Sequence, residues 1–237
     1  MSPFVKILRV LWFARYRTAL LRSGVFASTE HDQILAGLAL DTVVDIGANR
    51  GQFALCLRKL YPQAQIYSFE PLAKPAIKYE RNFSRDTRAQ LFKAAIATES
   101  NSVAMHVTQW DVSSSLLPIA RGQRDNFPFA SESRQEIVAT TRLSQCLDRS
   151  DIQGTALLKL DVQGYELTAL QGCEELLDRF AFVYVEASFV ELYLGQALAS
   201  EVVAFLLQSG FKLMCVANLS SGRSQRPIQG DFLFCRP

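Results

Sequence analysis

The segment Val43-Val44-Asp45-Ile46-Gly47-Ala48-Asn49-Arg50-Gly51, answered downstream by Ile66-Tyr67-Ser68-Phe69-Glu70-Pro71, restricts the possible folds more than any other part of the chain. An apolar run this short, bounded by turn residues, reads as a strand buried on both faces of a parallel sheet. It opens into a turn holding two glycines, which permit positive φ and close approach of backbone to a ligand. The amphipathic helix Gln52–Leu60 follows, and a second apolar run stops at Glu70. The unit is βαβ.

An acid roughly 20 residues beyond a glycine turn is placed to accept hydrogen bonds from ribose hydroxyls. The turn itself selects among nucleosides. A dinucleotide site would show G-x-G-x-x-G with a helix N-terminus facing pyrophosphate. Gly47-Ala48-Asn49-Arg50-Gly51 does not fit that pattern, and Asp45 just ahead of it would repel phosphate. A carboxylate there suits a cationic ligand without phosphate, and S-adenosylmethionine, which has a sulfonium and an ammonium, is one. The competing reading is an ordinary tight βα turn in which Asp45 caps the helix.

At 237 residues and 49% apolar content, one α/β domain with a full core is expected. A net charge of +2, with basic residues scattered rather than striped, argues against a nucleic-acid partner. Cys56, Cys146, Cys173, Cys215 and Cys235 are odd in number and lack C-x-x-C spacing, so most of them read as buried thiols, in a reducing, cytoplasmic compartment. No apolar run reaches spanning length. Met1–Leu21 is apolar but broken by Lys6, Arg9, Arg15 and Arg17, which is not the order of a signal peptide. Val5, Leu8, Leu11, Trp12 and Tyr16 fall near helical spacing. They predict either a helix packed on the domain or one that meets a membrane surface or a partner.

Residues 1–40 therefore read as an N-terminal helical extension, and 41–237 as the main domain. Ser28-Thr29 caps a helix through about Leu38. Strands are predicted at Thr42–Ile46, Gln65–Phe69, Gln90–Ile96, Ala156–Leu160, Phe182–Glu186, Phe211–Val216 and Asp231–Cys235. Helices are predicted at Pro75–Phe83, Tyr165–Leu177 and Ser200–Ser209. Val103–Thr108 and Glu136–Arg142 read as added antiparallel strands around a long, functional loop, Gln109–Ser133. This alternation implies a mostly parallel sheet with helices on both faces and a closing antiparallel hairpin.

Ligands of such sheets collect beyond the carboxyl ends of the strands. Asp45, Glu70, Asp161 and Glu186 fall at those ends. Asp45 and Glu70 are assigned to a cofactor, which leaves Asp161 and Glu186 for a substrate, or each as a helix cap. Asp161 is the candidate base or orienting group. Paired with Glu186 it could instead hold a divalent cation, since hard oxygen ligands suit magnesium. His31 reads as a surface or capping residue, and His106 lies within an added strand.

Val43–Gly51, Phe69-Glu70-Pro71, Ser113-Ser114-Ser115-Leu116, Leu158–Glu166, Gly172 and Asp231-Phe232-Leu233-Phe234 together resemble the FkbM-type methyltransferases. The resemblance runs from about Ser28 to the C-terminus. It implies the class I, Rossmann-like fold of seven strands ending in a reversed hairpin, and O-methylation of a sugar, glycoconjugate or polyketide-like metabolite. It further implies that Gly47, Ala48, Asn49 and Gly51 line the methionine part of S-adenosylmethionine, with Asp45 on the ammonium side. Glu70, beside Pro71, would hold the ribose diol. Ala95 would lie near adenine, and Ser114 and Ser115 would close over the site. Two other classes stay open: a nicotinamide-dependent oxidoreductase, and a non-catalytic scaffold keeping the fold.

Overall fold

The computed structural model describes residues 13–109, 111–127, 132–222 and 225–237. Ten strands and seven helices are found among them. The strands are β1 (Thr42–Ile46), β2 (Gln65–Phe69), β3 (Ala89–Phe92), β4 (Ala95–Ile96), β5 (Ser102–Thr108), β6 (Glu132–Thr141), β7 (Ala156–Leu160), β8 (Phe182–Ser188), β9 (Lys212–Ser221) and β10 (Pro227–Cys235). The helices are α1 (Ala14–Ser23), α2 (Asp32–Leu35), α3 (Gln52–Leu60), α4 (Ala73–Phe83), α5 (Arg121–Asn126), α6 (Glu166–Gln171) and α7 (Ala199–Gln208).

Seven strands form one sheet in the order β3-β2-β1-β7-β8-β10-β9. β1 pairs in parallel with both β2 and β7, and β10 runs antiparallel between β8 and β9. Every residue of β1 and β7 is buried, which is why both read as apolar runs, interrupted by charge at Asp45 and Lys159 alone. Val44, Ile46, Leu158 and Leu160 pack into one layer with Leu170 and Val202. Val43 and Leu157 face the opposite layer, with Tyr16, Leu55, Tyr79 and Tyr184. The chain leaves β1 toward β2 on one side and adds β7 on the other, so the switch point lies above β1 and β7.

Three expectations are corrected. The single third strand Gln90–Ile96 is two strands: β3 edges the main sheet, and β4 leaves it to pair with β6 in a three-stranded sheet with β5. The helix expected over Tyr165–Leu177 is α6 followed by a 3-10 segment, Glu174–Arg179. The break falls at Gly172, where a Cβ would stand 2.4 Å from the Ala97 carbonyl oxygen. The helix expected from Ser28 to Leu38 is only a 3-10 turn, Thr29–His31, running into the short α2. The expected antiparallel hairpin at the C-terminus and the added pair β5–β6 are both present. Of the apolar N-terminal spacing, Tyr16 is buried in α1, while Val5, Leu8, Leu11 and Trp12 lie outside the described residues. Among the described residues, no helix is long and apolar enough to cross a membrane.

Candidate active site

A cavity opens above the switch point, walled by the loops after β1, β2 and β7. Gly47 starts the first loop in the left-handed region, φ +81, and a Cβ on it would lie 1.9 Å from the Asp161 carbonyl oxygen. Only glycine lets the β1 and β7 loops approach this closely. Gly47, Ala48 and Asn49 line the cavity. Gly51 does not. It precedes α3 at φ +86, and a Cβ there would press on Phe83 at 2.7 Å.

Glu70 lines the cavity and is otherwise almost enclosed, at 4% exposure. Its Oε2 accepts from the Asn49 amide at 2.9 Å and its Oε1 from the Leu72 amide at 2.8 Å. Each oxygen keeps an acceptor site for a ligand hydroxyl. Burial pushes the carboxyl up to about 7, against the pull of those two amides. Pro71, Ala95 and Ser114 continue the wall, around an apolar slot of Phe69, Leu72, Ile96, Met105 and Leu116. Ser115 is fully buried behind it, donating from Oγ to the Gln163 carbonyl at 2.6 Å.

Asp45 is placed differently from expectation. It is wholly enclosed and does not form the cavity wall. Lys159, its neighbour on β7, brings Nζ within 3.0 Å of Asp45 Oδ1. The same ammonium donates to the Gly47 carbonyl at 3.2 Å and lies 3.7 Å from Asp161 Oδ2. Burial works against the Lys159 charge, but Asp45 and Asp161 outweigh it and hold the ammonium above its ordinary value. For Asp45, burial raises the carboxyl and Lys159 opposes that rise. Of the two carboxylates that Lys159 reaches, Asp161 and not Asp45 lines the cavity, its side chain 41% exposed. Lys159 was legible in principle: a lysine inside Leu157-Leu158-Lys159-Leu160 demands a buried carboxylate on a neighbouring strand.

Glu186 also stands behind the wall. Gln163 Nε2 donates to Asp161 Oδ1 at 2.7 Å and to Glu186 Oε2 at 3.0 Å, and Gln229 Nε2 donates to Glu186 Oε1 at 2.8 Å. An amide donor thus occupies the place between Asp161 and Glu186 where a shared cation would sit. Among the described residues no three His, Cys, Asp or Glu side chains gather as a metal site. Burial, with Asp161 and Asp231 nearby, pushes Glu186 well above the ordinary carboxyl range. The loop Asp161–Tyr165 is held by Glu166, whose Oε1 accepts from the Val162 and Gly164 amides, both at 3.1 Å. Tyr193 closes it from the far side. Its Oη lies 3.0 Å from both the Ser113 carbonyl and Gln163 Oε1, and it accepts from Gln123 Nε2 at 3.2 Å.

His31 is not the surface or capping residue that its position suggested. It lines the cavity beside Phe53, ring centroids 5.2 Å apart. His106 does not line the cavity; its Nδ1 lies 3.0 Å from Glu132 Oε2.

A parallel sheet with one reversed strand inserted next to its edge, a glycine turn after β1 and an acid at the tip of β2 define a class I methyltransferase. The chain belongs to the FkbM methyltransferase domain family, whose pattern it matches over residues 45–213. S-adenosylmethionine is the cofactor that this membership implies. The chain is 29% identical to the 2-O-methyltransferase NoeI of Sinorhizobium fredii over 198 residues, 81% of this chain and 77% of that protein. It is 26% identical to the methyltransferase sdnD of Sordaria araneosa over 209 residues, 78% and 79% of the two chains. Among solved structures, the magnesium protoporphyrin IX methyltransferase of Synechocystis superposes with a TM-score of 0.47 at 11% identity, over 95% of this chain and 91% of that one.

Proposed function

We propose that the chain transfers a methyl group from S-adenosylmethionine to a hydroxyl oxygen of a sugar, glycoconjugate or polyketide-like metabolite. The observation that carries the cofactor half is the pairing, on one cavity, of a buried carboxylate (Glu70) with a part-exposed one (Asp161), beside an apolar slot. That pair of acceptors fits a nucleoside bearing a diol and a positive charge, and would repel phosphate. Oxygen as acceptor atom is supported by the relative named a 2-O-methyltransferase.

In this reading Glu70 takes the ribose diol, and Phe69, Pro71, Ala95 and Ser114 border the adenine. Backbone of Gly47, Ala48 and Asn49 takes the methionine end, with Gly51 fixing the turn. Asp45 acts through Lys159, setting the loop rather than meeting the ligand. Asp161 faces the sulfonium side and the acceptor, while Glu186 orients it through Gln163. Bound there, S-adenosylmethionine supplies a methyl carbon activated by the sulfonium, and the enzyme contributes chiefly by holding the oxygen in line with it. The proposed setting is a reducing, cytoplasmic one, in keeping with five unpaired thiols.

Thermal shift with S-adenosylmethionine, S-adenosylhomocysteine and NAD tests this. The first two are expected to raise Tm and NAD to leave it unchanged, and Glu70→Ala is expected to remove both shifts. Stabilisation by NAD alone would favour an oxidoreductase, and no stabilisation by any of the three a non-catalytic scaffold.

The raised Glu70 carboxyl adds a pH signature. An ionised carboxylate is the better acceptor for the diol, so ligand affinity rises as pH climbs through about 7. For 5′-methylthioadenosine, which has the diol but no amino acid, affinity is expected to grow about tenfold from pH 6 to pH 8. Calorimetric titration reads this directly. Glu70→Gln should flatten the dependence, and a flat wild-type profile would place the ribose elsewhere.

A further inference from the structure

His31 is one of two histidines in the chain. It sits on the turn before α2, and its ring packs edge-on against Tyr184, centroids 5.5 Å apart, as well as against Phe53. Its Nδ1 lies 2.9 Å from Tyr184 Oη. Tyr184 Oη donates to Asp231 Oδ2 at 2.8 Å, and Asn218 Nδ2 donates to the same oxygen at 2.7 Å. His31 Nδ1 is itself 3.5 Å from Asp231 Oδ2. Because the single Tyr184 proton goes to Asp231, the short contact requires His31 Nδ1 to donate. A neutral ring with its proton on Nδ1 carries its lone pair on Nε2, and the ring lines the cavity. A buried carboxylate that fixes the tautomer and supports the protonated ring is the arrangement by which imidazole bases are made effective.

We propose that His31, oriented by Tyr184 and Asp231, is the general base that takes the proton of the acceptor hydroxyl. The inference rests on the methyl-transfer reading and assigns a role that reading leaves empty. The acceptor oxygen forms its bond to the methyl carbon, the carbon–sulfur electron pair stays on sulfur, and the hydroxyl proton passes to His31 Nε2. The sulfonium becomes a neutral thioether as the imidazole becomes an imidazolium, so charge is conserved within the cavity. The protonated ring then faces Asp231. Asp161 is left to orient the acceptor. The charged and titratable groups around His31 are Tyr184 and Asp231, Asp45 within electrostatic reach, and Lys159 on the same cavity wall.

Nitrogen-15 NMR of the imidazoles tests the proposal without any acceptor. In a His106→Gln background only His31 contributes. Its neutral form is expected to carry the proton on Nδ1, and Asp231→Asn is expected to mix the two tautomers. S-adenosylmethionine and S-adenosylhomocysteine differ by one methyl and one positive charge on sulfur. The His31 Nε2 resonance is expected to differ between the two complexes, because only the first places a positive charge in the cavity that the ring lines. A neutral ring protonated on Nε2, or the same Nε2 resonance with both nucleosides, would overturn the assignment. If neither nucleoside moves Tm or the spectrum, the cofactor reading has failed, and the base assignment falls with it.

Discussion

Alanine at position 47 is expected to destabilise the chain by about 3–5 kcal/mol, a size reserved for changes that strike backbone or core directly. Two costs add. Residue 47 holds φ at +81, which an alanine adopts only under strain, about 1 kcal/mol. The new methyl would also stand 1.9 Å from the Asp161 carbonyl oxygen, and that obstacle is backbone, so no side chain can swing aside. The β1 and β7 loops must part, and the cavity between them opens. Gly195→Ala is the control: φ is +74, but nothing lies within 4 Å, so only the backbone cost of about 1 kcal/mol applies. Denaturant unfolding followed by circular dichroism compares the two. Equal losses in both variants would show that the closeness of the two loops is not what glycine serves.

Lys159→Met is expected to cost a similar amount, about 3–5 kcal/mol, because it leaves Asp45 fully enclosed without its counter-ion. The loss should depend on pH in a definite direction. Burial already raises Asp45 above its unfolded value near 3.8, and removing the ammonium that opposes the rise takes it higher. For a carboxyl raised on folding, the folded state binds the extra proton. The variant is therefore relatively most stable below about pH 4 and loses stability as pH climbs from there through the raised value. Asp45→Leu with Lys159→Met removes both charges and should recover much of the loss. Urea midpoints at pH 4, 6 and 8 decide the matter. A single variant as stable as the double at pH 8 would mean that the pair is not a buried ion pair.

Much of the sheet could be read from the chain, because β1, β2, β7 and β8 are each buried on both faces and appear as short apolar runs. The readings that failed depend on partners distant in sequence. Gln90–Ile96 looks continuous, yet β3 pairs with β2 while β4 pairs with β6, some 45 residues on. Tyr165–Leu177 keeps helical spacing, and only the approach of Ala97 to Gly172 interrupts it. The place of Glu70 on the cavity wall was legible from its distance to the glycine turn. Asp45 was assigned to the ligand because its true partner, Lys159, lies over a hundred residues away on the adjacent strand. His31 was passed over for the same reason: Tyr184 and Asp231, which give it a role, come from β8 and β10.

Tyr193 gathers three remote segments at one hydroxyl: the Ser113 carbonyl, the Gln123 amide and the Gln163 side chain. The segment around Ser113 contributes main-chain oxygen to that junction, an atom every amino acid supplies. Replacing the Ser113 side chain therefore leaves this contact, and the loop that carries Asp161 and Gln163, tied together as before.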